Sequence, residues 1–333
     1  MITAELYMNL GLAATTILVS GFLTYLLTKI LIKVLRRFGW LVEDAHKPNR
    51  PLIPRPAGPA LIVSILVGEA ILYYSTFDVR IVALSSTLTI AGLIGLVDDV
   101  KRLKGYYKPL LLILASLPIL VLGAYVPQPI FPIYGKSVRL FIVYPLLVLV
   151  AIPITANTIN TIDVFNGVVS RFVFIASLPL LTAFALQGDW IMFTATLPLL
   201  TSTAVFYLFH KYPSKIFPGD SGTLALGALY GALAICGRAE VVGVIALLPA
   251  ILNSFFFLSS VKRIIEHREV KERPVKILQD FKLAASRSRE APVTLTRLIL
   301  AKGPLDEIEI ARAITILATV AAVLAVVTAL LTW

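Results

Sequence analysis

Hydrophobic residues recur in ten long stretches, and short segments rich in polar residues separate them. The stretches lie at 8–35, 58–76, 80–97, 109–126, 139–156, 168–186, 190–209, 222–237, 240–261 and 307–332. Several reach the roughly 17–25 apolar residues that a helix needs to cross a bilayer. Backbone groups inside a bilayer must be hydrogen-bonded within the chain, so each stretch is predicted to be a helix. The pattern predicts an all-α, polytopic integral membrane protein with about ten transmembrane helices.

Composition agrees with this interpretation and excludes an ordinary soluble protein. Of the 333 residues, 58% are hydrophobic and only 15% are charged, whereas soluble domains carry about 25% charged residues. Cys236 is the only cysteine, so no intrachain disulfide is expected. The stretch at 8–35 is too long for the core of a signal peptide and is interpreted as the first span. We expect one transmembrane catalytic domain over residues 1–333.

The distribution of basic residues predicts the orientation in the membrane. One alternating set of loops, with its edges, holds 23 of the 30 Lys and Arg residues, and the other set holds 4. The positive-inside rule places the richer set in the cytoplasm and both termini outside. It also accounts for the net charge of +11 without a nucleic-acid partner. Within the domain, 262–306 is a long cytoplasmic loop, for which an amphipathic surface segment and a solvated linker fit equally well.

The richer set of loops also carries clusters of polar residues at the ends of the apolar stretches. The first cluster contains Asp98 and Asp99, with Lys108 nine residues beyond. Adjacent helical residues point about 100° apart, so the two carboxylates cannot face one partner equally. One is expected to hold a metal or accept a proton while the other orients a cation, and Lys108 is expected to bind phosphate. A charge-balanced loop explains the aspartate pair equally well.

A second cluster ends the stretch at 139–156 with five polar or glycine positions. They are Asn157, Asn160, Asp163, Asn166 and Gly167. Amide oxygens are good ligands for hard cations and good partners for the edge of a nucleobase. A helix-capping turn is the structural alternative.

A third cluster is centred on Asp220, between two glycines and before the stretch at 222–237. The start of a helix attracts phosphate groups, and Asp220 is a candidate metal ligand beside it. Asp220 would also serve as an ordinary helix cap, and the two interpretations are compatible.

Two further loops are basic. His267 and Arg268 are adjacent and suit a pyrophosphate, although basic loops near membranes commonly meet anionic lipid. The segment after the first span contains Lys47 and Arg50 among several prolines. Proline prevents a regular helix there, so a rigid elbow is predicted in which individual residues are structural rather than catalytic.

Taken together, these loops offer carboxylates, amides and cations on one face of the membrane. Phosphoryl transfer needs a metal and basic side chains to neutralise charge on the phosphate oxygens. A site of this kind at a membrane surface indicates one water-soluble substrate and one lipid substrate.

The clusters, in their order along the chain, resemble the polyprenyl-phosphate N-acetylhexosamine-1-phosphate transferase family. The dolichyl-phosphate N-acetylglucosamine-phosphotransferase branch is the most similar, in an archaeal form. The resemblance extends from Asp44 to Pro304. It implies transfer of N-acetylglucosamine-1-phosphate from UDP-N-acetylglucosamine to a polyprenyl or dolichyl phosphate, with release of UMP, as the first step of lipid-linked oligosaccharide assembly for protein N-glycosylation. It also implies a cytoplasmic active site, in the plasma membrane of an archaeon.

The resemblance carries roles to individual positions. It implies catalytic roles for Asp98, Asp99, Lys108, His267 and Arg268. It implies substrate binding by Asn157, Asn166, Gly167, Phe217 and Lys47, with Asn166 and Phe217 on uracil. It implies a metal on Asp220 and Asn160, with Mg²⁺ expected and Mn²⁺ as an alternative. The expected partners are the UDP-sugar, the polyprenyl phosphate and membrane lipid, and a second copy of the chain is considered as a partner.

Some alternatives stay open. Gly105 and His210 depart from the family pattern, so another UDP-N-acetylhexosamine is a second candidate donor. Direct attack by the lipid phosphate and a covalent aspartyl intermediate are both compatible with these residues. A lipid-sugar transporter or flippase is the rival from a different class. It predicts ionisable residues at the centres of the spans, and the sequence is interpreted as having none there.

Overall fold

The structure is a computed structural model that describes residues 2–47, 49–104, 106–132, 139–262, 270 and 272–333. The helices are α1 Ile2–Arg37, α2 Gly58–Thr76, α3 Val79–Lys101, α4 Tyr107–Val121, α5 Val143–Ile162, α6 Val168–Gln187, α7 Trp190–His210, α8 Gly219–Cys236, α9 Glu240–Ala246, α10 Leu248–Val261, α11 Leu295–Ile299 and α12 Glu307–Thr332. Two antiparallel hairpins pair β1 Leu41–Glu43 with β2 Leu52–Pro54, and β3 Val275–Ile277 with β4 Leu283–Ala285.

The all-α prediction is confirmed, and each of the ten apolar stretches coincides with helix. Among the described residues, seven single helices are long and apolar enough to span a membrane. The pair α9 and α10, bent by 68°, raises this number to eight if it forms one span. The expected count of about ten spans is therefore only partly confirmed. Helix α4 is not counted as a span because it has only 15 residues and ends at Val121.

Helix α8 is the centre of the bundle. All 18 of its residues are buried, and it packs against α3 and α5. Small residues allow the close approach, most clearly where the end of α3 meets the start of α8. A Cβ atom added to Gly95 would lie 2.4 Å from the carbonyl oxygen of Asp220. The last turn of α3 is therefore held directly against the first turn of α8.

The first hairpin covers the same end of α8. Its second strand joins the segment before α8 through backbone hydrogen bonds from the amide of Phe217 to the oxygen of Pro54, at 3.0 Å, and from the amide of Gly58 to the oxygen of Pro218, at 2.9 Å. These bonds fix the short connection between β2 and α2, which includes Arg55, beside Asp220. The proline-rich elbow predicted from the sequence is thus an ordered part of the cavity wall described below.

The described parts of the loop at 262–306 contain small elements of their own. Strands β3 and β4 form a hairpin, and α11 runs into a 3₁₀ turn at Leu300–Lys302. Leu283 is buried and forms a backbone bridge with Leu305 just before α12. The described part of this loop therefore packs back onto the helices.

One buried acid contradicts the sequence interpretation that the spans have no ionisable residue near their centres. Glu69 is the twelfth residue of α2 and is fully buried. Its carboxylate accepts a hydrogen bond of 2.6 Å from the hydroxyl of Ser85 in α3. Its long side chain bonds to the neighbouring span, which makes burial tolerable. Glu69 does not line the cavity described below.

Candidate functional site

A cavity of about 880 Å³ opens at the end of the bundle where α3 ends and α8 begins. Its wall includes residues from four of the five loops that the sequence assigns to one side of the membrane. The sequence-predicted site residues that line it are Lys108, Asn157, Asn160, Asn166, Phe217 and Asp220. Four loops far apart in sequence therefore meet at one place.

Asp220 is held by two cations. Its Oδ1 accepts a hydrogen bond of 2.7 Å from Nη2 of Arg55, and its Oδ2 accepts one of 2.6 Å from Nζ of Lys108. The residue is buried, with 7% of its surface exposed. Its position in the first turn of α8 adds the positive end of the helix dipole to these two charges. Asp220 is therefore held as an ionised carboxylate.

Asp98 and Asp99 point to different partners, as their angular separation predicts. The Oδ2 of Asp98 lies 2.6 Å from Nζ of Lys108, and its Oδ1 accepts a hydrogen bond from the amide of Leu103. Asp98 thus holds Lys108 between two carboxylates, its own and that of Asp220. The sequence expectation that one member of the pair orients a cation fits this geometry.

Asp99 lies at the start of α8. Its carboxylate accepts hydrogen bonds from the amides of Asp220 and Ser221, both at 2.9 Å, and from the Ser221 hydroxyl at 2.8 Å. Exposed amides at a helix start need such partners. Asp99 also lies 3.0 Å from Nη2 of Arg55. The cap for α8 therefore comes from another helix, and it fixes Asp220 and Arg55 together.

These five side chains form the charged cluster of the cavity, defined as Arg55, Asp98, Asp99, Lys108 and Asp220. Burial alone would lower the pKa of the Arg55 guanidinium, but the carboxylates of Asp220 and Asp99 raise it above its ordinary value. Three carboxylates and two cations leave a formal charge of −1. A divalent cation would reverse this sign, so the cluster can accept a metal and an anionic substrate together.

Asn160 and Asn157 lie on the α5 side of the cavity. The Oδ1 of Asn160 accepts a hydrogen bond of 2.7 Å from the hydroxyl of Thr223 in α8. The amide group of Asn157 donates to the carbonyl oxygen of Pro153 at 2.8 Å. The first bond brings the amide oxygen of Asn160 to the same turn of α8 that carries Asp220.

Asp163 follows α5 directly and also lines the cavity. Burial raises the pKa of its carboxyl to about 7, although Arg55 opposes the shift. Its Oδ1 lies 3.7 Å from Nε2 of His210. This acid therefore changes its protonation near neutral pH, next to the charged cluster.

A second polar cluster lies on the other side of the cavity. It consists of Asp44, Lys47, Asn166 and Glu307, and we call it the amide cluster. The Nζ of Lys47 lies 2.9 Å from Asp44 and 2.5 Å from Glu307. The side-chain amide of Asn166 donates to both of these carboxylates. Its Oδ1 accepts the backbone amide of Ser214 at 2.7 Å. All four residues are buried. This amide cluster joins α12 to the loops after α1, α5 and α7.

Two other predicted substrate-binding residues lie at this side of the cavity. The ring of Phe217 lines the cavity and meets the ring of His210 edge-on, with 6.4 Å between centroids. Gly167 has a φ of +76°, and an added Cβ atom would lie 2.9 Å from the ring of Tyr207. A glycine is therefore required where the chain turns from Asn166 into α6.

Two sets of oxygen and nitrogen donors have the composition of a metal site. Asp220 and Asn160 offer a carboxylate and an amide oxygen, which suit a hard cation such as Mg²⁺. Asp44, His46 and Glu307 have donor atoms within 4.8 Å of one another. Both sets have cationic neighbours, because Lys47 contacts Asp44 and Glu307, and Arg55 and Lys108 contact Asp220. Both sets also contribute residues to the wall of the 880 Å³ cavity.

Six of the twelve site residues predicted from the sequence line this cavity, and three residues of the two clusters were not predicted. Lys47 lies in the amide cluster rather than on the cavity wall, and His267 and Arg268 lie outside the described residues. The missed side chains are Arg55, Asp44 and Glu307. Asp44 and Arg55 carry a weak signal, since both belong to the loop that also supplied Lys47. Glu307 has none, because an acid at the start of a helix is ordinary.

Comparison with known proteins places the chain in a family. The model of Glycosyl transferase family 4 matches residues 81–238. A relative from Saccharolobus solfataricus, with the provisional name UDP-N-acetylglucosamine–dolichyl-phosphate N-acetylglucosaminephosphotransferase, is 30% identical over 230 residues, which are 66% of this chain and 70% of the relative. A provisionally named glycosyltransferase from Methanocaldococcus jannaschii is 27% identical over 273 residues, 81% of each chain.

A bacterial relative matches as well. The phospho-N-acetylmuramoyl-pentapeptide-transferase of Acetivibrio thermocellus is 30% identical over 231 residues, which are 63% of this chain and 68% of that enzyme. The segment matched by the family model contains four of the five residues of the charged cluster, namely Asp98, Asp99, Lys108 and Asp220. The chain is a member of glycosyl transferase family 4.

Proposed function

We propose that this protein transfers N-acetylglucosamine-1-phosphate from UDP-N-acetylglucosamine to a polyprenyl phosphate of the dolichyl type and releases UMP. The observation that carries the proposal is that one cavity has both a charged surface and an apolar surface. The charged cluster lines one end, and apolar side chains of α4 and α5, including Leu110, Ile113 and Ile154, line another. An enzyme that joins a water-soluble diphosphate to a lipid phosphate needs both surfaces at one reaction centre.

The apolar part of the cavity suits the lipid acceptor. Leu110 on the short apolar helix α4 and Ile154 on the span-length helix α5 are exposed, so the cavity opens toward the hydrocarbon region. An isoprenoid tail lying there would place its phosphate at Lys108, which is the second residue of α4. Lys108 then supplies positive charge to the phosphate that attacks, and Asp98 keeps the ammonium group in position.

The polar part suits the donor. Phe217 offers a ring face to a pyrimidine, and Asn166 offers an amide fixed by three hydrogen-bond partners. An amide whose orientation is fixed can select one base edge, because a rotated amide would lose its bonds to Asp44 and Glu307. Arg55 and Lys108 lie near enough to Asp220 to bind the diphosphate beside it. His267 and Arg268 are proposed to add positive charge there.

A divalent metal, Mg²⁺ or Mn²⁺, fits Asp220 and Asn160 and would neutralise the charge on the diphosphate oxygens when bound. In the transfer, an oxygen of the lipid phosphate attacks the β-phosphorus of the donor, and UMP leaves with the α-phosphate. A phosphate monoester is largely dianionic at neutral pH, since its second pKa is near 6. Direct attack thus needs no strong base, and Asp99 is assigned a positioning role because the start of α8 occupies its carboxylate.

The proposal is tested with the purified full chain, UDP-N-acetylglucosamine, a polyprenyl phosphate and Mg²⁺. We expect UMP and polyprenyl diphosphate N-acetylglucosamine in equal amounts, and no UMP when the acceptor is omitted or EDTA is added. Replacing the donor by UDP-N-acetylgalactosamine tests the alternative sugar. Formation of UMP without lipid product, or no product from any UDP-N-acetylhexosamine, would refute the proposed transfer.

A further inference from the structure

A second cavity, of about 330 Å³, lies between α6 and α12 on the outer surface of the bundle. Ile308, Ile316 and Val320 line it and are each about half exposed, at 47%, 57% and 53%. All three belong to α12, which is long and apolar enough to span the membrane. The cavity therefore faces lipid, and it is separate from the 880 Å³ cavity because no lining residue is shared.

Two guanidinium groups line the same cavity. Arg171 is in the first turn of α6, and Arg312 is in the second turn of α12. Among the described residues, no carboxylate lies within 4.0 Å of either group. The Nε of Arg171 is buried and has no hydrogen-bond partner in the described part of the chain. The two arginines therefore carry positive charge that no described carboxylate balances, and part of their hydrogen-bonding capacity is unused. Both groups lie beside an apolar surface.

The other contacts of Arg171 position the group without neutralising it. Its guanidinium lies 5.4 Å from the ring centroid of Tyr207, and Nη2 reaches the carbonyl oxygen of Ala311 at 3.4 Å. The two threonines that line the cavity direct their hydroxyls to the backbone of α12 and so do not compete for a ligand. The guanidinium is therefore held in place between α6 and α12.

We propose that this cavity binds the phosphodiester headgroup of an anionic membrane lipid, with one hydrocarbon chain along the exposed face of α12. Arginine matches phosphate geometry through paired donors. Basic residues at a membrane surface attract anionic lipid. Ile316 and Val320 follow Arg312 by one and two turns on the same face of α12, and they offer a chain an apolar path that a free phosphate ion would not need.

The position of the cavity links such a lipid to the candidate active site. Arg312 follows Glu307 by five residues, about 7.5 Å along the helix axis. Arg171 follows Asn166, the partner of Glu307, by the same number of residues. A phosphate held by both arginines would connect α6 to α12 next to the amide cluster. We expect faster UMP release when anionic lipid is bound. Only this effect on activity rests on the proposed function.

Binding is tested on the detergent-solubilised, delipidated full chain by native mass spectrometry. Phosphatidylglycerol, phosphatidylcholine and inorganic phosphate are added in separate titrations. We expect phosphatidylglycerol to bind preferentially and to bind about 30-fold more weakly after Arg171→Gln with Arg312→Gln. The matched control, Arg287→Gln with Arg289→Gln, removes the same charge from exposed positions in the loop at 262–306 and should change binding less than 2-fold.

Arg312→Gln alone is the second variant, because Arg312 is exposed and its loss should leave folding intact. It is expected to weaken phosphatidylglycerol binding about 5-fold at an unchanged thermal midpoint in detergent. Equal binding of phosphatidylcholine, equal competition by inorganic phosphate, or equal loss in the control pair would overturn the lipid assignment. These readouts need no turnover, so they stand even if the transferase assay gives no product.

Discussion

The two ends of α3 both carry ion pairs, yet among the described residues only the group at the end of the helix contributes to the wall of the 880 Å³ cavity. At its start, Arg80 lies 2.8 Å from Asp78 and 2.5 Å from Asp189. Asp78 caps α3 and Asp189 caps α7, so each group has a structural task. At its end, Asp98 and Asp99 join the charged cluster around Asp220. Each group has one more carboxylate than it has cations, so charge alone does not identify a site. The Arg80 group is partly exposed, whereas the side chains of Asp98 and Asp99 are 1% and 2% exposed.

The difference lies in what surrounds each group. None of Asp78, Arg80 and Asp189 lines the 880 Å³ cavity, whereas Arg55, Lys108 and Asp220 do. The charged cluster also joins elements from four parts of the chain, while the Arg80 group joins the starts of two neighbouring helices. A functional ion cluster is recognised here by its access to a cavity. The predictions below test that distinction.

The largest effect is expected from Asp220→Asn, which removes the charge of the proposed metal ligand and keeps its shape. Transferase activity should fall on the order of 10³-fold, because electrostatic stabilisation is usually the largest part of such catalysis. Mn²⁺ binding, followed by electron paramagnetic resonance without nucleotide, should weaken in parallel. Asp189→Asn is the matched control at the other end of the bundle and should retain both properties. Wild-type Mn²⁺ binding by Asp220→Asn would remove Asp220 from the metal site.

Arg55→Gln should have the next largest effect. The guanidinium bridges Asp99 and Asp220, and we expect it to bind the donor diphosphate once a metal occupies Asp220. Loss of the charge should raise the KM for the UDP-sugar and lower kcat/KM about 100-fold. Because Arg55 occupies one oxygen of Asp220, the same variant should bind Mn²⁺ more tightly when no nucleotide is present. Unchanged KM with weaker Mn²⁺ binding would show that Arg55 only supports the fold.

Sequence alone predicted the helices and much of the site, and Arg55 shows where it stopped. Apolar stretches predict helices because a bilayer leaves the backbone few alternatives. The polar residues at their ends predicted Asp98, Lys108, Asn160 and Asp220. Arg55 was interpreted as part of a rigid elbow, which is correct for its backbone. Its function depends on Phe217 and Pro54 pairing across about 160 residues, and no local pattern predicts such a contact.

Glu307 gives the same lesson for the amide cluster. It begins α12, and its only sequence signal is that of a favourable helix start. Nothing local shows that Lys47 and Asn166 lie within hydrogen-bond distance of it. The bent pair α9 and α10 differs, because Pro249 in the first turn of α10 is a local signal for a break there, although it does not predict the 68° angle.

Glu307→Gln is expected to have a moderate effect. It leaves Lys47 paired with Asp44 only and weakens the bonds that orient Asn166, so the proposed uracil contact becomes less specific. The KM for the UDP-sugar should rise about 10-fold, with a smaller change in kcat. Glu309→Gln in the capping box of the same helix is the control, since it should lower only stability. Equal kinetic effects of the two variants would assign Glu307 to folding alone.

Asp163→Asn should change the pH dependence of stability. Burial raises the pKa of Asp163 to about 7, so the folded protein binds this proton more tightly than the unfolded chain does. The resulting stability is present at pH below about 4 and is lost as pH rises through 7. Between pH 5 and pH 8 the thermal midpoint of the variant should decline less than that of the wild type. The corresponding difference in the slope of the free energy of unfolding is up to about 1.4 kcal/mol per pH unit. A parallel decline of the thermal midpoint in both proteins would contradict the raised pKa of Asp163.

The smallest effect on activity is expected from Arg80→Gln, in the group that does not contribute to the wall of the 880 Å³ cavity. The substitution leaves Asp78 and Asp189 without their shared cation, and both are only partly exposed. Stability should fall by about 1–2 kcal/mol, less than for a fully buried pair because solvent screens the group. Activity per folded molecule should stay within about 2-fold of wild type, measured together with the thermal midpoint. A large loss of activity at an unchanged thermal midpoint would mean that the group at Arg80 is coupled to the charged cluster through α3, the helix they share. The contrast between the two ends of α3 would then fail.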